Sequence, residues 1–198
     1  WYARSLVQSE AGIIVWDYWA KGRKLRAETI VGGTPIVTFV SGEFYTIADM
    51  LTRKGVAIRR APEAIAADKT HAGERGFGRE GEEMIAKGAE FVRSETLSGR
   101  PCKMYRLTEE RGKTEVWLTD DKRKLPVRVE FSRRDTGAKS TTDYIDWIAD
   151  LELSDAFFEP DPRVELERVE YADYVTRSQA GNIVGPAPVL FSNLLHGR

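Results

Sequence analysis

The side chains best suited to chemistry are few and far apart in this 198-residue chain, which holds two histidines and one cysteine. His71 and His196 belong to no H-x₃-H or H-E-x-x-H pattern that would set two metal ligands on one helix face. Cys102, alone, excludes an internal disulfide and a multi-thiolate metal site, and with no histidine near it in sequence it reads as a small core-facing residue. There is no G-x-S-x-G nucleophile elbow and no S-x-x-K. Gly76-Phe77-Gly78-Arg79-Glu80-Gly81 matches G-x-G-x-x-G. A dinucleotide site, however, needs a strand entering that turn and a long helix leaving it, whereas His71–Arg75 is polar and no βαβ alternation surrounds it. The pairs Glu82-Glu83 and Asp120-Asp121 fall in a helical stretch and a turn, where solvation or capping accounts for them. These residues lead to the expectation of a non-enzymatic protein with no catalytic residue, metal site or cofactor.

Aromatic residues are the more informative set. Trp16, Tyr18, Trp19, Phe39, Phe44, Tyr45, Tyr105, Trp117, Phe131, Tyr144 and Trp147 are spread over what read as strands. Each one alone is explained by core packing. Together they fit a curved sheet too wide to be filled by its own side chains, which leaves a cleft for an apolar ligand. Trp16, Tyr18, Phe39, Tyr105, Trp117, Phe131 and Trp147 are the candidate lining residues.

The elements that would position them follow from turn chemistry. Between Gly12 and Arg60, the runs Ile13–Ala20, Lys24–Ile30, Ile36–Val40, Phe44–Met50 and Gly55–Arg59 alternate with Lys21-Gly22-Arg23, Gly32-Gly33-Thr34-Pro35, Ser41-Gly42 and Arg53-Lys54. That is the pattern of an antiparallel meander, preceded by a strand within Trp1–Gln8. From Ala61 to Ala89 the composition turns to Ala, Glu, Lys and Gly, predicting short helices at Pro62–Lys69 and Arg79–Lys87 that rest on the sheet through Ile65, Met84 and Ile85. Strand rhythm returns at Glu90–Ser94, Lys103–Thr108, Thr114–Thr119, Pro126–Ser132 and Thr141–Ala149. In the fourth of these, alternation sets Val127, Val129 and Phe131 against Arg128 and Glu130; in the fifth it sets Ile145 and Trp147 against Tyr144, Asp146 and Ile148. Phe157 and Phe158 are expected to anchor the chain before Pro160 and Pro162. Val164–Val169 reads as an edge strand, Tyr171–Gln179 as weakly helical, and Val189–Leu195 as an apolar segment in need of a docking place.

Lys and Arg number 30 against 31 acidic residues, with no concentrated basic face, so nothing points to nucleic acid. Mean hydropathy is −0.42, and no stretch approaches a membrane-spanning run. The sequence begins at Trp1 without Met, which fits a leader removed before the first residue.

Order and spacing resemble the LolA-like fold, the periplasmic lipoprotein carriers and their lipid-binding relatives, over about Trp1–Val164. The first matching segment is Val15–Glu28 (VWDYWAKGRKLRAE), followed by Val40–Tyr45 and a strand ending in Arg59-Arg60. The second is Gly99–Leu107, then Val116–Leu118, Leu125–Glu130, Tyr144 and Asp155–Pro160. The resemblance implies a mainly β (α+β) protein, a half-open antiparallel β-barrel with a short helical lid or plug. Residues 1–169 would form that half-barrel domain, with its helical insertion at about 61–89, and residues 170–198 a C-terminal extension. It further implies an exported, periplasmic carrier or sensor of a lipid or acylated protein, either free or lipid-anchored to the outer membrane and in peripheral contact with it. An alternative is an envelope interaction module that docks a protein partner through its tail. Lipoprotein carriers place Arg-Pro after the second strand, where the arginine holds the lid, and begin with an amphipathic helix. Lys21-Gly22 stands at that turn and the sequence starts near the first strand, which favours a general lipid-binding relative over a strict lipoprotein shuttle.

Overall fold

The computed structural model describes residues 1–10, 12–70 and 80–197. In chain order the strands are β1 (Tyr2–Ser9), β2 (Gly12–Lys21), β3 (Lys24–Val31), β4 (Thr34–Ser41), β5 (Phe44–Asp49) and β6 (Lys54–Arg59). Helices α1 (Pro62–Thr70) and α2 (Glu80–Ala86) follow, then β7 (Glu90–Leu97), β8 (Arg100–Glu109), β9 (Gly112–Thr119), β10 (Pro126–Arg133) and β11 (Lys139–Ile148). A 3₁₀ turn at Asp155–Phe158 leads to β12 (Glu165–Val169), α3 (Tyr171–Gln179) and α4 (Ser192–His196). The sheet order is β12-β6-β5-β4-β3-β2-β1-β11-β10-β9-β8-β7. It starts and ends on different strands, so the sheet is open, the mainly β architecture that a half-open barrel requires.

Tight turns set the meander. Val31 pairs with Thr34 across Gly32 and Gly33, whose φ angles of 56° and 85° give the left-handed pair that a two-residue hairpin demands. The predicted runs of this meander grow by one to three residues, because pairing continues into the flanking polar positions, except Phe44–Met50, which ends one residue earlier at Asp49. β12 and β6 pair in parallel, with Glu165 opposite Lys54 and Val169 opposite Ile58.

Two compact units divide the chain: Trp1, Asp17–Arg75 and Asp150–Arg198 in the first, Tyr2–Trp16 and Gly76–Ala149 in the second. The C-terminal extension belongs to the first unit, where both sheet faces are packed. On one face Val37, Phe39 and Ala48 meet Val164, with Leu166 beside them. On the other lie Leu25, Val40, Tyr45, Ile47 and Ile58, all fully buried. In the second unit, Met84 of α2 packs on Val116 and Leu118, and a separate cluster of Cys102, Met104, Trp117 and Val127 lies on the opposite face.

Two alternation patterns are broken by bulges. A register shift between Pro126 and Arg128 turns Val127 toward Trp117 while Val129 stays with Val116, so the two valines lie on opposite faces. A second shift, at Arg4/Ser5 where β1 meets β11, lets Trp147 stack on Tyr144 at 5.2 Å. Of the expected helix anchors Met84 is buried, Ile65 is half-buried and Ile85 is exposed. His71 and the Gly76–Arg79 part of the glycine motif lie outside the described residues. Gly81 is in α2, where a β-carbon would come within 2.4 Å of the Leu118 side chain, so this glycine serves close packing.

Candidate functional site

Cross-strand partners share a face, and this rule sorts the seven candidate aromatics. In the second unit, Phe91 is opposite Tyr105, Tyr105 opposite Val116, and Val116 opposite Val129. Leu107 is opposite Thr114, and Thr114 is opposite Phe131. This is the face on which Met84 sits, with Tyr105, Leu107, Val129 and Ala89 partly buried around it. Thr142 pairs with Val129, and two residues on, Tyr144 faces the same way and carries the stacked Trp147. Tyr105, Phe131 and Trp147 therefore share the face on which α2 packs, with Tyr105 beside Met84. All three are half-buried, and Phe91, in edge-on contact with Tyr105 at 5.9 Å, is 55% exposed. The Trp147 indole donates to the Pro126 carbonyl at 3.1 Å, fixing the ring while leaving its apolar body on the face.

Trp117 is on the other side of that sheet. Its indole donates to Glu95 at 2.6 Å, and Arg93 donates to the same carboxylate at 2.9 Å. The Trp117 hydrogen bond first, and then Arg93, hold the Glu95 carboxyl below the usual range. Trp16 is buried in the portion of β2 that belongs to the second unit.

Tyr18 and Phe39, both in the first unit, point to opposite faces. Tyr18 pairs with Ala27, and Ala27 with Thr38, whereas Arg26 pairs with Phe39. The Arg26 guanidinium lies 4.3 Å from the Phe157 ring centre and 5.4 Å from that of Phe39, and donates to the Phe157 carbonyl. The 3₁₀ turn thus packs on the Phe39 face through Phe157, a contact partner that the expected anchoring role of Phe157 and Phe158 did not specify. Phe191 of the tail meets the Tyr18 ring at 6.0 Å. The amides of Leu190 and Phe191 donate to the Tyr45 hydroxyl at 3.2 and 3.1 Å. Burial pushes the Tyr45 phenol up to about 12 despite those amides, so it stays protonated. The apolar tail has its docking place on the sheet of its own unit: Phe191 and Leu195 are buried there.

Sequence reasoning missed the polar clasp that holds this arrangement. Arg60, 2% exposed, donates to the carbonyls of Gly42, Ala64 and Leu194 and to Asp68 at 2.6 Å. Arg23, immediately after Lys21-Gly22, reaches the other Asp68 oxygen at 2.7 Å. Two arginines therefore hold α1, one of them one position past the turn where the carriers' Arg-Pro was sought. The doublet Arg59-Arg60 followed by Pro62 was the available signal. Among the described residues, no group of three or more His, Cys, Asp or Glu side chains is arranged to hold a metal ion.

The described residues form an open, mainly β sheet carrying short helices, with a partly covered aromatic face in the second unit. Comparison with solved structures agrees at the level of the fold. An uncharacterized conserved protein from Thermus thermophilus matches at 11% identity over 84% of this chain and 90% of its own, with a TM-score of 0.55. The Pseudomonas aeruginosa MucA/MucB complex matches at 12% identity over 85% of this chain, with a TM-score of 0.51. The likeness spans only 58% of that second chain, little more than half its length. The Mycobacterium tuberculosis lipoprotein LppX matches over 77% of this chain and 89% of its own at 11% identity, with a TM-score of 0.45, too distant to bear on function. No protein-family model matches the sequence, and no curated protein does.

Proposed function

We propose that this chain is a non-enzymatic binding protein of the bacterial cell envelope, a periplasmic carrier or sensor that takes the acyl chain of a lipid or of an acylated protein. The acyl chain lies along the second unit's face, against Tyr105, Phe131 and Trp147 and beside α2. One observation carries this reading: those three aromatics are only half-buried on a shared face, whereas both faces of the first unit are packed by the chain's own segments. Covering about 14 methylenes at ~0.8 kcal/mol each gives roughly 11 kcal/mol. Association costs of ~4–15 kcal/mol take back much of that gain. Such a balance suits a protein that must release what it binds. Displacement of a fluorescent fatty acid tests it: the wild-type protein binds the probe and Phe131→Asp weakens binding at least tenfold. No displaceable probe on the wild-type protein rejects the reading.

A second reading, an envelope module that docks a protein partner, draws on the fold likeness to the MucA/MucB complex. Docking through Val189–Leu195 would require the tail to leave the sheet that now buries Phe191 and Leu195. Under that reading, deletion of Pro188–Arg198 abolishes complex formation and spares lipid binding.

A further inference from the structure

β7 ends the sheet order and pairs with β8 along one edge. No strand lies along its other edge among the described residues. The pairing pattern fixes which backbone groups face outward there. Leu97 and Arg100 flank a two-residue turn at Ser98 and Gly99, whose φ angles are 52° and 76°. The residues flanking such a turn exchange both ladder bonds, and bonded and non-bonded pairs then alternate. Thr96 opposite Pro101 is accordingly a non-bonded pair, as a proline without an N–H requires, and so is Ser94 opposite Lys103. The N–H and C=O groups of Ser94 and Thr96 point away from β8, free to receive another strand. The side chains are open as well: Phe91 is 55% and Val92 36% exposed.

We propose that the β7 edge is a self-association site, at which a second copy of this chain adds its own β7 antiparallel about Ser94. The sequence of the strand selects this occupant. Outward-facing residues must lie opposite outward-facing residues, so the two-fold axis falls on a residue rather than between two. Placed on Arg93 or on Glu95, it sets like charges against each other. On Ser94 it sets Arg93 opposite the partner's Glu95 and Glu95 opposite the partner's Arg93, and the regular ladder stops at the bulge between Phe91 and Arg93. The intrachain pair Arg93–Glu95, 2.8 Å apart, then becomes half of a four-charge row along one face of the joined strands. The contact is isologous and closes on itself, giving a dimer and not a fibre. Its area is that of one strand pair, at the small end of specific interfaces, so the dimer is weak and sensitive to salt. Lipid binding plays no part in it.

Sedimentation velocity of the full chain over a wide concentration range tests this inference. The wild-type protein shifts from monomer toward dimer as concentration rises. Arg93→Glu, Glu95→Arg and Ser94→Pro each leave a monomer, with folding checked by circular dichroism. Arg93→Glu mixed with Glu95→Arg restores a dimer, because each then faces its complement. Should loss of the Trp117 hydrogen bond unfold Glu95→Arg, Arg93→Glu and Ser94→Pro still decide. A wild-type monomer at every concentration overturns the proposal, as does a dimer that survives Ser94→Pro or two folded charge variants that stay monomeric when mixed. Capture of a foreign extended peptide without self-association overturns it too.

Discussion

Among the described residues, Arg60 is one of the largest fully buried side chains and the only charged one of them. Its cost in desolvation is offset because a carboxylate and three carbonyls receive its N–H groups. Removing its ionic partner should expose that cost: Asp68→Ala is expected to destabilise the protein by about 3–5 kcal/mol, read from the urea midpoint. Arg23→Met, at the more exposed partner, should cost no more than about 1 kcal/mol. Glu95 gives a pH signature of the opposite sign to that of a raised histidine. Its folded carboxyl is held low, chiefly by the Trp117 indole, so the ionised form contributes stability above the unfolded value of about 4.3 and loses it as pH falls through the lowered one. Glu95→Gln should therefore flatten the acid limb of stability against pH, measured by urea unfolding between about pH 3 and 7.

At the scale of elements, α2 is only seven residues long and stands by docking rather than by its own propensity. Gly81 lets it approach Leu118, so Gly81→Ala, normally helpful in a helix, should here cost about 1–3 kcal/mol and strip protection from the amides of α2 in hydrogen exchange. Most strands were legible in the sequence because their turns carry Gly or Asp pairs between apolar runs. The faces were legible only between bulges. Val127 and Trp147 were assigned by strict alternation, which the bulges beside them break; the first follows Pro126, and the second lies in a stretch that no Gly or Pro marks. The clasp was illegible for a different reason: Arg60 and Leu194 are 134 positions apart, and no local pattern encodes a contact that exists only after folding. Likewise, Tyr18 and Phe39 look equivalent as strand aromatics, and only the register Arg26–Phe39 against Ala27–Thr38 separates their faces.

For the whole molecule, the two units differ in how far their sheet faces are covered. The first is packed on both faces by chain that follows β11, and the second keeps its aromatic face only partly covered. Variants should separate accordingly. Leu195→Ala, at a fully buried site, is expected to cost about 2–5 kcal/mol of stability while leaving fatty-acid affinity unchanged at temperatures where the protein is folded. An acyl ligand at about 100 times its wild-type Kd should add about 2.7 kcal/mol to wild-type stability and no more than about 1.4 kcal/mol to that of Phe131→Asp, measurable as a shift in Tm.

The Arg60 clasp also sets an order of events during synthesis. The second unit's segments all precede Asp150, so its strands can pair while the remainder of the chain is still being made. The first unit has to wait: until Leu194 leaves the ribosome, the Arg60 guanidinium lacks one of its four acceptors and the sheet face around Tyr45 lacks its cover. A nascent chain stalled before Leu194 would carry a finished second unit beside an open first one, its apolar face available to whatever factor escorts unfinished chains.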